Sequence, residues 1–257
     1  MESSSYYKKD SRYYLKYSGS ESYFKNGLLL ESIWHFRDFM EGNLLDLGCG
    51  NKPYSDLYNE FCDTSVGCDV PFSLHQDAKV EVLCYAEDID LHFGPDYFDC
   101  VLCTEVLEHT VNDRKVIENI RKILKPGGTL IISTPFTYVL HEAPHDYRRY
   151  TYYGLRKILE DNEFIVKSVF SIGGTFLSGL YIFYYSLTKI FFYTFKSLGL
   201  KNLRENSLIN NIVNIPEWLF YKFNIRSFRK KLNDNKLPST NEMFSSLGYF
   251  IVAEKIK

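Results

Sequence analysis

One short segment constrains the fold of this chain more than any other, the stretch Asn43–Asn51 with the sequence NLLDLGCGN. Its apolar run Leu44–Leu47, interrupted by one carboxylate, predicts a short buried strand that ends at its carboxyl edge. Gly48 and Gly50 then allow a tight turn in which the backbone can come close to a ligand. A strand followed by such a turn predicts an α/β fold that binds its ligand at the edge of a parallel sheet.

The residues around this turn argue against a dinucleotide ligand. Pro53 stands where the dinucleotide-binding pattern has its third glycine, and Asp46 places a carboxylate just ahead of the turn. Because a carboxylate there would repel a pyrophosphate, we expect a ligand without phosphate that carries an ammonium or sulfonium group. S-adenosylmethionine meets both conditions and is the predicted cofactor.

Six motifs follow one another over about residues 40–135. They are Leu45–Gly50, Gly67–Asp69, Ala86–Asp88, Phe98–Leu102, Glu105–His109 and Lys125–Leu130. In this order they resemble class I S-adenosylmethionine-dependent methyltransferases, in the type 11-like branch related to the ubiquinone-biosynthesis enzymes. The resemblance implies a Rossmann-like, mostly parallel sheet of seven strands in which the last strand is antiparallel.

Position and resemblance together predict the cofactor-binding residues. The predicted set is Asp46, Gly48, Cys49, Gly50, Asp69, Val70, Ala86, Glu87, Thr104 and Glu105. Asp69 stands 19 residues beyond Gly50, where a carboxylate can accept hydrogen bonds from both ribose hydroxyls or, alternatively, cap a turn. Relatives carry an aspartate where this chain has Tyr85, so the adenine contact falls to Ala86 or to the acidic residues after it.

Residues 136–151 form the segment that most informs the acceptor side of the site. Within it, His141–His145 matches the pattern HExxH of zinc proteases, which requires both histidines on one face of a helix. Pro144 is incompatible with that helix, because it removes a backbone donor and pushes Ala143 out of helical dihedrals. The sequence therefore predicts no metal site.

The same segment looks like the His-Asp-Tyr loop of methyltransferases associated with surface-polysaccharide and lipid-linked glycan synthesis. The resemblance suggests His145 as general base, oriented by Asp146, with His141 as a further catalytic candidate. Arg148, Arg149 and Tyr147 are the predicted substrate-binding residues, since a guanidinium can bind a phosphate or carboxylate. The alternative is that these charges only pin the loop to the next helix. His109, in the preceding motif, is either a base or a packing residue.

An insertion distinguishes this chain from its relatives. Strands predicted at 163–172 and 249–255 are separated by roughly 75 residues, where a short hairpin is typical of the family. Thr175–Phe195 is apolar with Lys189 as its only charge, and residues 196–240 carry nine basic against three acidic residues. This pattern is typical of a segment on an anionic membrane surface, while a helical subdomain, a homodimer interface or a membrane span over Ser168–Thr188 remain alternatives.

These observations predict three segments: an N-terminal helical cap (1–42) whose first 20 residues are mobile or loosely packed, a cofactor-binding core (43–172 and 246–257) and a helical insertion (173–245). A net charge of −2 gives no reason to expect a nucleic acid partner. The first residues lack the apolar core of a signal peptide and the six cysteines form no disulfide pattern, so we expect a cytoplasmic protein, peripheral at the inner membrane face if the insertion binds lipid.

The expected function is O-methylation of a sugar hydroxyl in a glycan or lipid-linked precursor. One alternative is methylation of a prenylated quinone or another lipophilic small molecule, which an apolar insertion would equally serve. Another is a non-catalytic module that binds the cofactor and recruits partners through the insertion.

Overall fold

The computed structural model describes residues 6–16, 22–71, 80–200, 203, 206–234 and 245–257. The strands are β1 (Tyr6–Lys9), β2 (Arg12–Leu15), β3 (Asn43–Leu47), β4 (Thr64–Asp69), β5 (Val82–Leu83), β6 (Phe98–Thr104), β7 (Leu124–Pro135), β8 (Phe164–Ile172) and β9 (Gly248–Lys255). The helices are α1 (Tyr23–His35), α2 (Ser55–Tyr58), α3 (Asp113–Ile123), α4 (Tyr152–Asp161), α5 (Thr175–Ser197), α6 (Ser207–Val213) and α7 (Ile215–Asp234). Short 3₁₀ turns lie at Arg37–Phe39, Ala86–Leu91 and Leu107–His109.

Seven strands form the central sheet, in the order β5-β4-β3-β6-β7-β9-β8. β9 runs antiparallel to both of its neighbours, and the strands from β5 to β7 are parallel. This confirms the predicted seven-stranded, mostly parallel α/β fold with an antiparallel last strand. The order reverses at β3, so the turn after β3 lies at the topological switch point where such sheets bind ligands.

Apolar side chains on both faces of the inner strands explain why the sheet is covered on both sides. Leu44 and Leu102 face the cluster that contains α1, α5 and α7, whereas Leu45 and Val101 face the cluster that contains α3 and α4. The side-chain period of a strand, two residues, divides the core into these two halves.

Sequence patterns located α3 and α4 closely. Asn112 caps α3 by accepting a 3.1 Å hydrogen bond from the Lys115 amide, and Thr151 caps α4 by accepting one from the Gly154 amide. The apolar spacing predicts a helix over Val111–Leu124, and α3 starts two residues later, at Asp113, because the cap and not the first apolar residue sets the start. The sequence also predicts a third strand over Val80–Cys84 and a helix that begins at Lys52-Pro53-Tyr54. The strand is only two residues long, Val82–Leu83, and the helix begins at Ser55.

The prediction of a mobile or loosely packed N-terminus is wrong for residues 6–15. β1 and β2 form an antiparallel hairpin, and the rings of Tyr6 and Tyr13 are buried in the cluster around α1. The Tyr13 hydroxyl donates a 2.7 Å hydrogen bond to the Asp56 carbonyl, which satisfies its polar tip. The sequence did not predict this hairpin because its composition is polar. Tyrosine carries a hydroxyl but also a large apolar ring that can be buried. Residues 1–5 and 17–20 of the same prediction lie outside the described residues.

The insertion folds against the core of the protein. α7 packs on α1, and the Tyr221 ring lies so close to Gly27 that a Cβ atom there would overlap it. Arg229 of α7 donates two hydrogen bonds, of 2.8 and 2.6 Å, to the buried Glu31 carboxylate of α1. Among the described residues, no helix combines the length and the apolar character that crossing a membrane requires. The run considered for a span, Ser168–Thr188, is divided between β8 and α5.

Candidate cofactor and acceptor site

The turn after β3 has the tight geometry that its glycines predict. Gly48 and Gly50 have φ values of 70° and 49°, in the left-handed region that favours glycine. The amides of Gly48 and Cys49 donate hydrogen bonds of 2.8 and 3.0 Å to the Cys68 carbonyl, so the turn is held against β4. The backbone of this turn is thereby fixed at the ligand-binding edge of the sheet.

Asp46 is the buried carboxylate beside this turn. It is 2% exposed and accepts a hydrogen bond from Tyr58, but its Oδ2 atom has no partner within the described part of the chain. Burial raises the pKa of Asp46 to about 7. An unpartnered carboxylate oxygen next to a glycine turn fits the ammonium group of S-adenosylmethionine, and this is where the chain can hold that end of the cofactor.

Asp69 ends β4 and shapes the turn from the other side. Its Oδ2 atom accepts a 2.8 Å hydrogen bond from the Gly50 amide, and its Oδ1 atom accepts one of 2.7 Å from the Val70 amide. The carboxylate thus caps the backbone, which was the alternative role considered for it. Each oxygen keeps a second lone pair, so ribose binding by Asp69 stays a prediction.

The predicted adenine residues lie after β5. Ala86 is buried at the start of a 3₁₀ turn, while the Tyr85 side chain is about half exposed. Glu87 accepts hydrogen bonds from the amides of Val111 and Asn112, at 2.7 and 3.2 Å. Its carboxylate is therefore occupied at the start of α3, and Ala86 is left as the better candidate for the adenine contact.

Thr104 is the last residue of β6, and Glu105 follows it at the same edge of the sheet. Glu105 accepts a 2.9 Å hydrogen bond from the Ser133 hydroxyl and forms an ion pair with Lys25 of α1. Lys25 is 4% exposed, and its ammonium lies 3.9 Å from the centre of the Tyr138 ring. Burial lowers the pKa of Lys25 most, but the charge and hydrogen bond of Glu105, together with Tyr138 and Glu108, outweigh burial and leave that pKa above its ordinary value.

Lys25 is a site residue that the sequence did not reveal. The family resemblance implies that the helical part of the predicted N-terminal cap lies over the cofactor, with packing on the sheet edge as the alternative. In the structure, the buried Lys25 of α1 contacts Glu105, a predicted cofactor residue. A lysine directly after the buried Phe24 on an otherwise apolar face was the available signal.

The loop after β7 is not helical around its histidines, in agreement with the rejection of a zinc-protease helix. Asp146 contacts His141 and not His145: its Oδ2 atom accepts a 2.9 Å hydrogen bond from the His141 amide and lies 3.2 Å from His141 Nδ1. That second contact is not aligned as a linear hydrogen bond. The His145 ring instead lies beside Tyr147, with Nδ1 3.1 Å from the hydroxyl. Orientation of His145 by Asp146, as the sequence suggested, is therefore wrong for this structure.

Both arginines of the loop bind the protein itself. Arg149 forms an ion pair with Asp146, with one N–H···O distance of 2.7 Å, and Arg148 donates to the carbonyls of Thr110 and Val111. Burial alone would raise the pKa of Asp146, but hydrogen bonds from Arg149 and from a backbone amide hold it well below its usual range. These contacts fit the alternative in which the charges pin the loop, and substrate binding by Arg148, Arg149 and Tyr147 stays a prediction.

The turn after β6 contributes a second residue that the sequence did not reveal, Glu108. Its side chain is fully buried, and neither carboxylate oxygen has a hydrogen-bond partner among the described residues. Burial raises the pKa of Glu108 well above its ordinary value. The Nε2 atoms of His109 and His141 lie 3.7 and 3.8 Å from its Oε1 atom. Glu108 is three residues after Glu105, a predicted cofactor residue. This cluster therefore lies next to the predicted cofactor site, on the side of the loop over residues 136–151.

Comparison with known proteins agrees with this geometry. A family model described as a methyltransferase domain matches residues 23–171, more than half of the chain. Ubiquinone biosynthesis O-methyltransferases from Coxiella burnetii and Hydrogenovibrio crunogenus are 31% and 27% identical over 100 and 118 residues. These alignments cover 36% and 42% of this chain, and 43% and 49% of the relatives. The chain thus spans less than half the length of these curated relatives.

Solved structures share the fold at low sequence identity. A SAM-dependent methyltransferase from Archaeoglobus fulgidus has a TM-score of 0.53 at 18% identity, covering 93% of this chain and 96% of that one. The [4+2]-cyclase SpnF has a TM-score of 0.55 at 15% identity, covering 100% of this chain and 87% of that one. At these identities the likeness shows the fold alone. Together with the six motifs and the family match, it establishes that the chain belongs to the methyltransferase-domain family of the class I fold, whose cofactor is S-adenosylmethionine.

Proposed function

We propose that this protein transfers the methyl group of S-adenosylmethionine to an oxygen of a hydroxyl-bearing acceptor, and that the acceptor is a sugar in a glycan or lipid-linked precursor. One observation carries the proposal: the loop over residues 136–151 folds onto the turn Leu107–His109, beside the cofactor edge of the sheet. The Tyr147 amide donates a 2.9 Å hydrogen bond to the Glu108 carbonyl, and a histidine of each segment contacts the other. The loop over residues 136–151 and the turn Leu107–His109 together form one side of the site, here called the acceptor wall. Its many polar groups suit an acceptor with several hydroxyls.

The bound cofactor supplies an electrophilic methyl group on sulfur, so the protein need only hold the acceptor oxygen in line and exclude water. Lys25 and Tyr138 cover the site from the side of α1, and the Tyr138 ring stacks on Tyr181 of α5 at 6.0 Å. The acceptor proton requires a path out of the site. His145 stays the predicted base: its side chain is exposed, and of its ring nitrogens Nδ1 is the one that contacts the Tyr147 hydroxyl.

A second acceptor class has its own support. The curated relatives are named ubiquinone biosynthesis O-methyltransferases, and the insertion exposes apolar side chains that could contact a lipid tail. Methylation of a phenolic hydroxyl on a prenylated quinone precursor would use the same cofactor turn and the same acceptor wall. The two proposals differ only in what lies beyond the reacting oxygen.

Conversion of S-adenosylmethionine to S-adenosylhomocysteine tests both classes. The acceptors are sugar-diphosphate lipids with a short chain, the matching free sugars, and a catechol with a short prenyl chain. We expect turnover with the sugar acceptors and its loss in Asp46→Asn. Turnover with the catechol alone would replace the sugar proposal by the quinone proposal. Cofactor binding without turnover on any acceptor would favour the non-catalytic module.

We also propose that the insertion rests on an anionic membrane surface. One face of α5 carries apolar side chains that are at least half exposed, namely Phe176, Phe183, Leu187, Ile190 and Tyr193. Basic side chains occur on the same helices, at Lys189 and Lys196 of α5 and at Lys222, Arg226 and Lys230 of α7. Apolar side chains that enter the interface, flanked by cations that meet acidic headgroups, are the pattern of interfacial helices. The proposed location is accordingly peripheral, at the cytoplasmic face of the membrane.

A further inference from the structure

Two buried cysteines, Cys68 and Cys84, place their sulfur atoms side by side near the edge of the central sheet. Their Sγ atoms lie 3.0 Å apart, and both thiols are free. Because an S–S bond is about 2.05 Å long, the two atoms need to approach by only about 1 Å to become bonded. Neither thiol belongs to the predicted cofactor or acceptor residues, so this pair has no part in the proposed methyl transfer.

The pairing of two strands brings these sulfurs together. β4 and β5 are parallel neighbours, and their register pairs Cys68 with Val82. The Cys84 amide donates a 2.9 Å hydrogen bond to the Asp69 carbonyl, so the chain after β5 continues along β4. Cys84 follows Val82 by two residues, and side chains two residues apart on a strand share one face of the sheet. The strand register therefore keeps the two thiols close.

The other four cysteines have different surroundings. The thiols of Cys49 and Cys62 contact a backbone carbonyl and an asparagine side chain, respectively. Cys100 and Cys103 are fully buried and belong to the two apolar clusters on opposite faces of the sheet. Cys62 is the most exposed of the six cysteines. An oxidant that acted by exposure alone would reach Cys62 first, whereas one that required two adjacent sulfurs would select Cys68 and Cys84.

The two thiols also differ as an attacking thiol and a resolving thiol differ. The hydrogen bond from Cys68 lowers the pKa of the Cys84 thiol, although burial opposes this shift. The same hydrogen bond, together with burial, raises the pKa of Cys68 well above its ordinary value. Cys84 is 6% exposed, whereas Cys68 is fully buried. Because the thiolate is the nucleophilic form of cysteine, a small oxidant should react first at Cys84.

We propose that Cys68 and Cys84 are a modification site, at which a peroxide converts the two thiols into a reversible disulfide. The Cys84 thiolate attacks one peroxide oxygen, the O–O bond breaks, and a sulfenic acid and one water are formed. The Cys68 sulfur then attacks the Cys84 sulfur, the S–O bond breaks, and the Cys68 proton leaves with the hydroxide as a second water. Two electrons pass from sulfur to oxygen, and a dithiol reductant restores both thiols by exchange.

This disulfide changes the shape of the cofactor site, because each cysteine lies next to a predicted cofactor residue. Asp69 follows Cys68 directly, and Ala86 follows Cys84 by two residues. In a regular sheet the offset between the two cysteines places their Cα atoms roughly 8 Å apart, whereas a disulfide joins Cα atoms about 4.4–6.8 Å apart. The bond therefore draws the backbone of Cys84 toward β4. β5 permits this movement, since it is two residues long and lies at the edge of the sheet.

The oxidised protein should consequently hold the nucleoside part of the cofactor more weakly. Binding groups need to stay within about 0.5 Å of their productive positions, and the movement of Cys84 exceeds that distance at the residues before Ala86. We expect a loss of affinity of about 10-fold, within the ordinary range of coupling between two sites. Linkage requires the reverse effect as well: bound cofactor must favour the two thiols over the disulfide by the same factor.

Thiol counting and peptide mapping on the full-length protein test the modification without any turnover. The reduced protein is treated with a slight excess of hydrogen peroxide, its free thiols are counted, and linked peptides are identified by mass spectrometry. We expect the loss of two of the six thiols, a peptide pair joined through Cys68 and Cys84, and recovery of both thiols with dithiothreitol. Calorimetry with S-adenosylhomocysteine should give a Kd about 10-fold higher for the oxidised than for the reduced protein. In a glutathione redox buffer, saturating S-adenosylhomocysteine should then raise the midpoint potential of the pair by about 30 mV.

Two variants separate this pair from general oxidation. Cys84→Ser keeps a small polar side chain but cannot form the bond, so peroxide should leave its Kd for S-adenosylhomocysteine unchanged. Cys62→Ser is the matched control, because it removes the most exposed thiol, and it should form the same linked peptide pair as the wild type. The proposal is overturned if wild-type peptides are linked through any other cysteines, or if Cys84 is oxidised to a sulfinic acid without a link. A Cys68–Cys84 disulfide that leaves the Kd unchanged would refute the effect on the cofactor site.

Discussion

Protonation of Asp46 should control how tightly the protein holds S-adenosylmethionine near neutral pH. Burial raises the pKa of this carboxyl to about 7, and its free Oδ2 atom is the predicted partner of the cofactor's ammonium. If the cofactor binds only the ionised form, half of the sites are competent at pH 7 and about one in eleven at pH 6. The apparent Kd should therefore be about fivefold higher at pH 6 than at pH 7.

Ionisation of Asp46 should favour cofactor binding but lower the stability of the fold. Its pKa in the folded state lies above the value of about 3.9 in an unfolded chain, so the folded protein binds the proton more tightly. The contribution to stability is full below the unfolded pKa and is lost as the pH rises through 7. Relative to Asp46→Asn, which cannot ionise, the free energy of unfolding of the cofactor-free wild type should fall by about 1 kcal/mol between pH 6 and pH 8.

Calorimetry in two buffers of different ionisation enthalpy measures both the Kd and the protons released, and urea unfolding without cofactor measures stability. Asp46→Asn should bind the cofactor weakly at every pH, and it should gain stability over the wild type as the pH rises. A merely structural aspartate would not give this combination of lost binding and gained stability. The reasoning is refuted if the wild-type Kd is the same at pH 6 and pH 7, or if the asparagine variant binds as tightly as the wild type.

Three further predictions test other parts of the molecule. Glu31→Ala leaves Arg12 and Arg229 without the buried carboxylate with which both form ion pairs, and should lower the free energy of unfolding in urea by about 3–5 kcal/mol, with Glu31→Gln losing less; an unchanged midpoint would contradict this. Gly48→Ala forces a side chain into a left-handed conformation against Val106, at a cost of about 1–3 kcal/mol, and should abolish cofactor binding in calorimetry even where the protein still folds. In flotation with anionic liposomes, replacing both Phe183 and Ile190 by serine should reduce the bound fraction roughly tenfold; flotation unchanged by these substitutions would end the membrane proposal.

The fold was predictable because its signals are local. Apolar runs ending in glycine marked β3, and the helical spacing of Val116, Ile117 and Ile120 marked α3. The hairpin β1–β2 was not predictable in this way, since tyrosines that bury their rings have the same composition as a polar tail. Its burial depends on tertiary contacts with the neighbouring helix α1 and with α7, which lies far away in the sequence.

The cofactor turn could be identified from the sequence, while the acceptor wall could not be assigned residue by residue. Because Asp146 directly follows His145 in the sequence, it was predicted to orient the His145 ring. The loop instead folds back and brings the Asp146 carboxylate to His141. The partner of Glu105 is Lys25, 80 residues earlier in the chain. The spacing of apolar residues predicts helices and strands but gives no information on contacts between two loops. The burial of Glu108 therefore became visible only with the structure.

The packing of α1 determines how the insertion can be studied. Lys25 of α1 forms an ion pair with Glu105 in the site, and Glu31 of the same helix forms one with Arg229 of α7. Deleting residues 175–240 would remove that partner and the rings that bury α1, so the cofactor edge would lose its cover along with the lipid-facing surface. A truncated protein that failed to float would then say nothing about membranes, because it could equally be misfolded. Substitutions on the outer face of α5 leave the buried face of the insertion in place, and only they separate membrane contact from the support that the same helices give to the site.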